Sequence, residues 1–231
     1  MASEAQLALP VLIRDDATFD NYLAGEGGKV LLGGLRQQLT PDGEPLIFLH
    51  GGAGSGKSHL LQAACHLAEG RALYLPLADL AGYAPEEVLA GAEQMPLLCL
   101  DDLDAVVGNE AWELALFNLY NAARDAGCRL LLAAAASPRE LAIDLADLRS
   151  RLAWGVVYHL PASDDERKCL ILEFRAGLRG LQLPPEVAAF LVKRAPRSLD
   201  GLLDCLDKLD RASLAHQRAL SIPFVKQTLD L

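Results

Sequence analysis

A glycine-rich segment, residues 51–58, constrains the fold of this chain more than any other feature. It reads Gly51-Gly52-Ala53-Gly54-Ser55-Gly56-Lys57-Ser58 and fits the pattern G-x-x-x-x-G-K-[ST]. It follows an apolar run, residues 46–50, and precedes a stretch with helical spacing, which is the setting of a P-loop. Glycines let successive backbone N–H groups turn toward an anion, and the lysine and the helix N-terminus add positive charge. The segment therefore predicts a phosphate-binding site, with the Ser58 hydroxyl offered to Mg²⁺.

Short apolar runs alternate with helical patterns up to Pro161. The runs predict strands over residues 46–50, 73–77, 97–100, 130–134 and 156–160. Helical spacing predicts helices over residues 58–69, 85–95 and 110–126, the last with one apolar face formed by Trp112, Leu116, Leu119 and Ala123. Strands that alternate with helices predict an α/β fold, a parallel sheet flanked by helices on both faces.

The pattern is purely helical after Pro161. Ser163-Asp164-Asp165-Glu166 predicts a capping box, with Ser163 as the N-cap and Glu166 bonding back to it. Further helices are predicted from Pro184 to before Pro196, from Ser198 onward, and near Pro223. The chain is thus expected to comprise an N-terminal tail (residues 1–14), an α/β domain (15–161) and a small all-helical domain (162–231).

Composition excludes several classes of protein. The 31 acidic and 21 basic residues give a net charge of −10, which argues against a chain whose main task is to grip phosphate backbones. No apolar run approaches the ~18 residues of a membrane span. The N-terminus has no basic segment and carries Glu4, so a cytoplasmic protein is expected. The five scattered cysteines form no C-x-x-C pair, which disfavours a disulfide scaffold or a zinc site.

Paired carboxylates follow the third predicted strand, as Leu97-Leu98-Cys99-Leu100-Asp101-Asp102. A buried strand that ends in carboxylates delivers them to the carboxyl edge of the sheet, where ligands of such sheets bind. Asp101 is expected to hold Mg²⁺ and Asp102 to orient an attacking water. An acidic turn that caps a helix is the alternative, since Asp104 follows at once.

Four blocks of the chain resemble the AAA+ module of bacterial replication initiators of the DnaA type. They are Thr18-Phe19-Asp20-Asn21-Tyr22, residues 51–59, residues 97–102, and Ser150-Arg151-Leu152-Ala153-Trp154-Gly155. The similarity runs from about Asp15 to the end of the chain. It implies an AAA+ fold with a helical lid and a bound adenine nucleotide, ADP or ATP, with Mg²⁺.

The resemblance assigns roles to individual residues. Lys57 and Ser58 match the Walker A motif, with His59 beside them, and Asp101 and Asp102 match Walker B. Arg151 matches the arginine finger that is offered in trans to a neighbouring subunit's nucleotide. Arg197 matches the sensor 2 arginine of the lid. Asp15 and residues 18–22 are expected near the base. Periodicity alone would leave Arg149, Arg151 and Arg197 as ordinary surface arginines.

The N-terminal segment Gln6-Leu7-Ala8-Leu9-Pro10 resembles a motif that docks on the DNA polymerase III β sliding clamp. The helical pattern is followed by no helix-turn-helix module, so no direct sequence-specific DNA binding is expected. In both features the chain resembles the DnaA-homologous branch that acts in regulatory inactivation of the initiator. That branch implies an inhibitor of re-initiation, tethered to the clamp, which stimulates ATP hydrolysis by DnaA. Whether copies of the chain assemble with one another stays open.

The chain departs from the initiators at the end of the fourth strand. The initiators carry a polar sensor 1 residue there, whereas this chain has Ala133-Ala134-Ala135-Ala136 before its first hydroxyl, Ser137. Alanine forms no side-chain hydrogen bond, so slow intrinsic hydrolysis is expected.

Two other functions compete with this interpretation. An autonomous AAA+ ATPase that acts in replication or loads onto DNA is disfavoured by the negative net charge, and salt-sensitive binding to duplex DNA would support it. A small-molecule P-loop kinase is disfavoured by the all-helical C-terminal module, and transfer of phosphate to metabolites would support it.

Overall fold

The computed structural model describes residues 16–25 and 27–231. The chain divides into two compact units after Pro161, and each has its own hydrophobic core. The predicted tail, residues 1–14, lies outside the described residues.

The first unit is built on one five-stranded parallel sheet. Its strands are β1 (Leu46–His50), β2 (Ala72–Pro76), β3 (Leu97–Asp101), β4 (Arg129–Ala134) and β5 (Val156–His159). Their order across the sheet is β2-β3-β4-β1-β5, and every neighbouring pair is parallel. The predicted α/β fold class is confirmed.

Helices cover both faces of this sheet. They are α1 (Gly28–Gln37), α2 (Lys57–Leu67), α3 (Leu77–Leu80), α4 (Pro85–Val88), α5 (Glu110–Ala126) and α6 (Ala146–Leu152). Because strand side chains alternate, Ile47 and Leu49 of β1 pack with residues of α1 and α2, while Phe48 packs with residues of α5 and α6. The predicted apolar face of α5 is fully buried.

Two predicted elements of the first unit end earlier than expected. The helix expected over residues 85–95 ends at Val88, because Gly91 has a positive φ of 72° that a continuing helix cannot accommodate. A single 3₁₀ turn, Ala92–Gln94, follows it. The second strand ends at Pro76 rather than at Leu77, which begins α3.

The second unit contains α7 (Asp165–Leu178), α8 (Pro185–Arg194), α9 (Leu199–His216) and α10 (Ile222–Leu229). Ser198 caps α9 as expected, its hydroxyl accepting from the Gly201 N–H. The cap of α7 is Asp164 rather than Ser163, since the Asp164 carboxylate accepts from the Arg167 N–H at 2.8 Å. A charged acceptor makes the stronger cap hydrogen bond. In the described part of the chain, no helix combines the length and apolar character that crossing a bilayer requires.

A buried carboxylate ties three segments of the first unit together. Glu113 of α5 is only 2% exposed. Its Oε1 accepts from the N–H groups of Gly108 (2.7 Å) and Asp144 (3.1 Å), and its Oε2 accepts from the N–H of Leu145 (2.7 Å). Burial opposes ionisation, but the three backbone donors outweigh it and lower the pKa of Glu113.

We expect Glu113→Gln to lower the free energy of unfolding at pH 7 by about 1–3 kcal/mol, because the amide leaves a backbone donor unpaired. A lowered pKa in the folded state means that the carboxylate stabilises the fold above its ordinary pKa of 4.5, and that this stabilisation is lost as the pH falls through the folded value. The difference between variant and wild type should therefore shrink in acid. Urea unfolding followed by circular dichroism at pH 7 and near pH 4 measures both effects.

The matched control is Glu110→Gln, which removes an exposed carboxylate from the same helix. It should change stability by less than about 0.5 kcal/mol. Equal stability of Glu113→Gln and wild type at pH 7 would contradict the expectation.

Candidate functional site

The carboxyl ends of β1, β4 and β3 lie side by side at one edge of the sheet, because β4 pairs with both neighbours. The glycine-rich segment follows β1, Asp101 ends β3, and Ala134 ends β4. The Gly51 N–H donates to the Ala134 carbonyl at 3.2 Å, so the segment begins against the end of β4. The topology thus brings together the sequence motifs that were predicted to meet.

Two glycines of the segment are required by close packing. A Cβ at Gly51 would overlap the carbonyl oxygen of Leu160. Gly56 has a φ of +93° and caps α2, and a Cβ there would lie 2.8 Å from the Tyr22 ring. A side chain at either position would displace the segment from its path.

The start of α2 offers backbone donors toward the segment. Its first helical hydrogen bond is donated by Leu60 to Gly56, so the N–H groups of Lys57 and Ser58 precede it, and Gly56 supplies no side-chain cap. The Lys57 ammonium donates to the carbonyls of Gly51 (2.7 Å) and Gly52 (3.1 Å). The buried Ser55 hydroxyl has no hydrogen-bond partner among the described residues. Together, the backbone N–H groups, the ammonium and the hydroxyl can bind a phosphate group.

Asp101 is fully buried at the end of β3. Its Oδ2 accepts from the Tyr74 hydroxyl at 2.8 Å, and its Oδ1 accepts from the Asp102 N–H at 3.0 Å. Burial, together with the nearby Asp101 carboxylate, raises the pKa of Tyr74, so the phenol keeps its proton and donates. Tyr74 could not be predicted from sequence, since a tyrosine in an apolar strand carries no signal of a carboxylate partner.

Asp102 has an unusual backbone conformation, with a φ of +53° in the left-handed region. Burial, and next the neighbouring Asp101 carboxylate, raises the pKa of Asp102. A carboxylate with a raised pKa is a better proton acceptor than an ordinary aspartate. The predicted role of Asp102 with an attacking water stays a prediction.

The segment after β4 uses its polar groups locally. The Ala135 N–H donates to the Asp104 carboxylate at 2.7 Å. The Ser137 hydroxyl, the first one after β4, donates to Glu140 at 2.7 Å within its own turn. The Ser137 hydroxyl therefore already donates its proton to Glu140.

Residues 18–22 pack against the start of α2. A His59 ring nitrogen lies 2.9 Å from the Thr18 carbonyl oxygen, and the His59 and Tyr22 rings are 5.9 Å apart. His59 therefore anchors this segment beside the glycine-rich loop. Asp15, predicted to lie near the same place, is outside the described residues.

Arg151 lies at the end of α6 against two aromatic rings. Its guanidinium carbon is 5.7 Å from the centre of the Tyr120 ring and 5.4 Å from that of the Trp154 ring. The Trp154 side chain is 73% exposed, and Arg151 itself is half-buried. No carboxylate of the described residues forms an ion pair with Arg151. Tyr120 could not be predicted from sequence, because its contact depends on how α5 packs against α6.

The remaining predicted residues lie elsewhere. Arg197 is exposed in the turn between α8 and α9, and its backbone carbonyl accepts from the Lys168 ammonium at 2.9 Å. The predicted clamp-binding residues, Gln6, Leu7, Ala8, Leu9 and Pro10, are outside the described residues.

Comparison with known proteins agrees with this architecture. A family model described as "Hda, lid domain" matches residues 165–229. An uncharacterized protein of Haemophilus influenzae is 44% identical over 230 residues, which cover 98% of this chain and 99% of that protein.

Solved structures share the fold. Domain III of the Thermotoga maritima replication initiation protein DnaA superimposes with a TM-score of 0.75 at 23% identity, covering 95% of this chain and 98% of that one. AMPPCP-bound DnaA from Aquifex aeolicus gives a TM-score of 0.70 at 24% identity, covering 90% of this chain and 70% of that one. The expected AAA+ fold with a helical lid is thereby confirmed.

We expect Tyr74→Phe to lower the free energy of unfolding by about 1–3 kcal/mol, because the buried Asp101 carboxylate loses one of its donors. Tyr83→Phe is the matched control, since Tyr83 is 46% exposed. Urea unfolding of both variants at pH 7 makes the measurement. A Tyr74 variant as stable as the Tyr83 variant would show that this hydrogen bond contributes nothing.

Proposed function

Since this chain belongs to the Hda/DnaA-type AAA+ proteins, we propose that it regulates the start of replication by stimulating ATP hydrolysis by the initiator DnaA. The observation that carries the proposal is Arg151. An arginine held between aromatic rings beside an exposed tryptophan, with no ion-pair partner in the described residues, is suited to enter a site on a second protein.

The glycine-rich loop of this chain binds an adenine nucleotide, ADP or ATP. Residues 51–59 supply the backbone donors and the Lys57 ammonium that phosphates require. The AMPPCP-bound DnaA structure supports an adenine nucleotide in this fold. Arg197 reaches the nucleotide from the lid in this proposal, as the resemblance implies.

Ser58 and Asp101 would hold Mg²⁺ at this site. The Ser58 side chain is exposed at the start of α2, and each Asp101 oxygen retains a lone pair beyond its one hydrogen bond. Bound there, Mg²⁺ neutralises phosphate charge. Tyr74 keeps the Asp101 carboxylate oriented, and Asp102 accepts a proton from water.

The chain's own site hydrolyses ATP slowly. Ala133 and Ala134 are buried where the initiators have a polar sensor 1, and the first hydroxyl, Ser137, is bonded to Glu140. A water at this edge therefore lacks one positioning group, and misplacement of reacting atoms is costly in rate. The bound nucleotide stabilises the conformation of this protein that binds DnaA.

Arg151 acts on the nucleotide of DnaA rather than on that of its own chain. The Tyr120 and Trp154 rings attract the guanidinium through their faces and hold it in place without neutralising it. The charge is thus preserved for the transition state, where a finger supplied in trans is worth about 10³–10⁵ in rate. Faster hydrolysis converts the ATP form of DnaA to its ADP form.

The N-terminal segment tethers this activity to the sliding clamp. An extended peptide with a glutamine amide and two leucines, Gln6 to Pro10, suits an apolar cleft. Tethering raises the local concentration of Arg151 near DNA-bound clamps without new contacts to DnaA. Inactivation then follows the loading of clamps, which prevents re-initiation.

We expect Arg151→Ala to reduce the stimulated ATPase rate to that of DnaA alone, because the charge offered in trans is gone, while adenine nucleotide binding stays at the wild-type level. Lys57→Ala should lose nucleotide binding, since the loop loses its ammonium. Phosphate release by DnaA with each variant and equilibrium nucleotide binding are the measurements.

Arg139→Ala controls for the loss of an exposed arginine from the same unit and should stimulate normally. An Arg151 variant that stimulates DnaA fully, or that loses nucleotide as Lys57→Ala does, would refute the role in trans. Turnover of several ATP per second by this chain alone would refute the slow intrinsic site.

We expect Gln6→Ala and Leu9→Ala each to abolish capture of the full-length chain by immobilised β clamp, because each removes a group that fills the cleft. The nucleotide affinity of both variants should be unchanged. Ser3→Ala, just outside the motif, is the control. Undiminished capture of both motif variants would remove the tether from the proposal.

A further inference from the structure

Glu113 is a buried carboxylate that the proposed function does not use. Among the described residues, its hydrogen bonds go to backbone groups of two loops and not to the glycine-rich segment. The first loop connects β3 to α5, and its donor is the N–H of Gly108. The second loop leads into α6, and its donors are the N–H groups of Asp144 and Leu145.

The second loop determines where α6 begins. Leu145 is the N-cap of α6 and supplies no side-chain cap, while its own N–H is bonded to Glu113 at 2.7 Å. The start of this seven-residue helix is therefore fixed from α5. A helix of two turns has little intrinsic stability, so such outside contacts decide its position.

The same α5 helix holds the other end of α6. Tyr120, two turns after Glu113, lies under the Arg151 guanidinium. The seven steps from Glu113 to Tyr120 rise about 10 Å along α5, and the six steps from Leu145 to Arg151 rise about 9 Å along α6. The two contacts thus match in spacing, and α6 is fixed to α5 at both ends, with Leu148 and Leu152 buried between them.

We propose that Glu113 is a positioning residue, which places Arg151 for the nucleotide of a second protein by fixing the start of α6. This inference rests on the proposed role of Arg151 in trans. An uncompensated N–H at Leu145 would free the start of α6 and shift its last turn. Displacement by about 1 Å from the reacting geometry can lower a rate about 10²-fold.

The test uses the full chain carrying Glu113→Gln in the DnaA ATPase assay. The stimulated rate at saturating protein should fall about 10- to 100-fold, the range expected for misplacement. The protein concentration that gives half of the maximal rate should stay the same, since the docking surface is intact. Amide hydrogen exchange should accelerate over residues 142–152, and adenine nucleotide affinity should remain unchanged.

Asn109→Ala is the matched control. Asn109 caps the same α5 helix by accepting from Ala111 and Trp112, and in the described part of the chain no hydrogen bond joins its side chain to α6. It should lower the melting temperature yet keep the full saturating rate. Glu113→Asp, a carboxylate shorter by one methylene, covers the case in which the glutamine variant does not fold, and its saturating rate should also fall.

A wild-type saturating rate for a folded Glu113 variant would overturn the inference. So would an equal loss of rate in Asn109→Ala. Arg151→Ala distinguishes failure of the positioning role from failure of the proposed function. If it loses stimulation while the Glu113 variants keep it, the positioning role alone fails. If Arg151→Ala stimulates normally, the proposed function fails as well.

Discussion

The pairing of β4 with both β1 and β3 is the constraint on which the rest of the structure depends. Parallel pairing aligns the carboxyl ends of these strands, so the glycine-rich loop, Asp101 and Ala134 meet at one edge. The interior strands are apolar on both faces because helices cover both.

Two buried carboxylates, Asp101 and Glu113, fix the connection between β3 and α5. Hydrogen-bond donors stabilise each of them: Tyr74 and a backbone N–H for Asp101, and three backbone N–H groups for Glu113, which also feels the charge of Arg149. A buried charge held this way is costly to move, because every donor would lose its partner. These hydrogen bonds therefore hold the segment between β3 and α5 at both of its ends.

Patterns of local spacing predicted most elements, whereas packing between elements escaped prediction. The apolar run of β1, within residues 46–50, and the apolar face of α5, within residues 110–126, are both local patterns. Their burial could therefore be predicted. The spacing of the glycine-rich motif and the carboxylates after β3 predicted that these segments meet at one end of the sheet, and their roles stay predictions. Helix α6, with two buried leucines, has too few turns for periodicity. The contacts of Tyr74 with Asp101, Tyr120 with Arg151 and Glu113 with Leu145 join residues that are 27 or more positions apart in sequence.

The exposed indole of Trp154 affects how copies of the protein associate in solution. A large aromatic surface left in water attracts other apolar surfaces, including the same patch on another copy. The net charge of −10 repels like molecules at long range, and this repulsion weakens as salt shortens the Debye length. Self-association through the indole is thus suppressed in dilute buffer and promoted by salt, whereas a less acidic partner meets a lower barrier at every ionic strength.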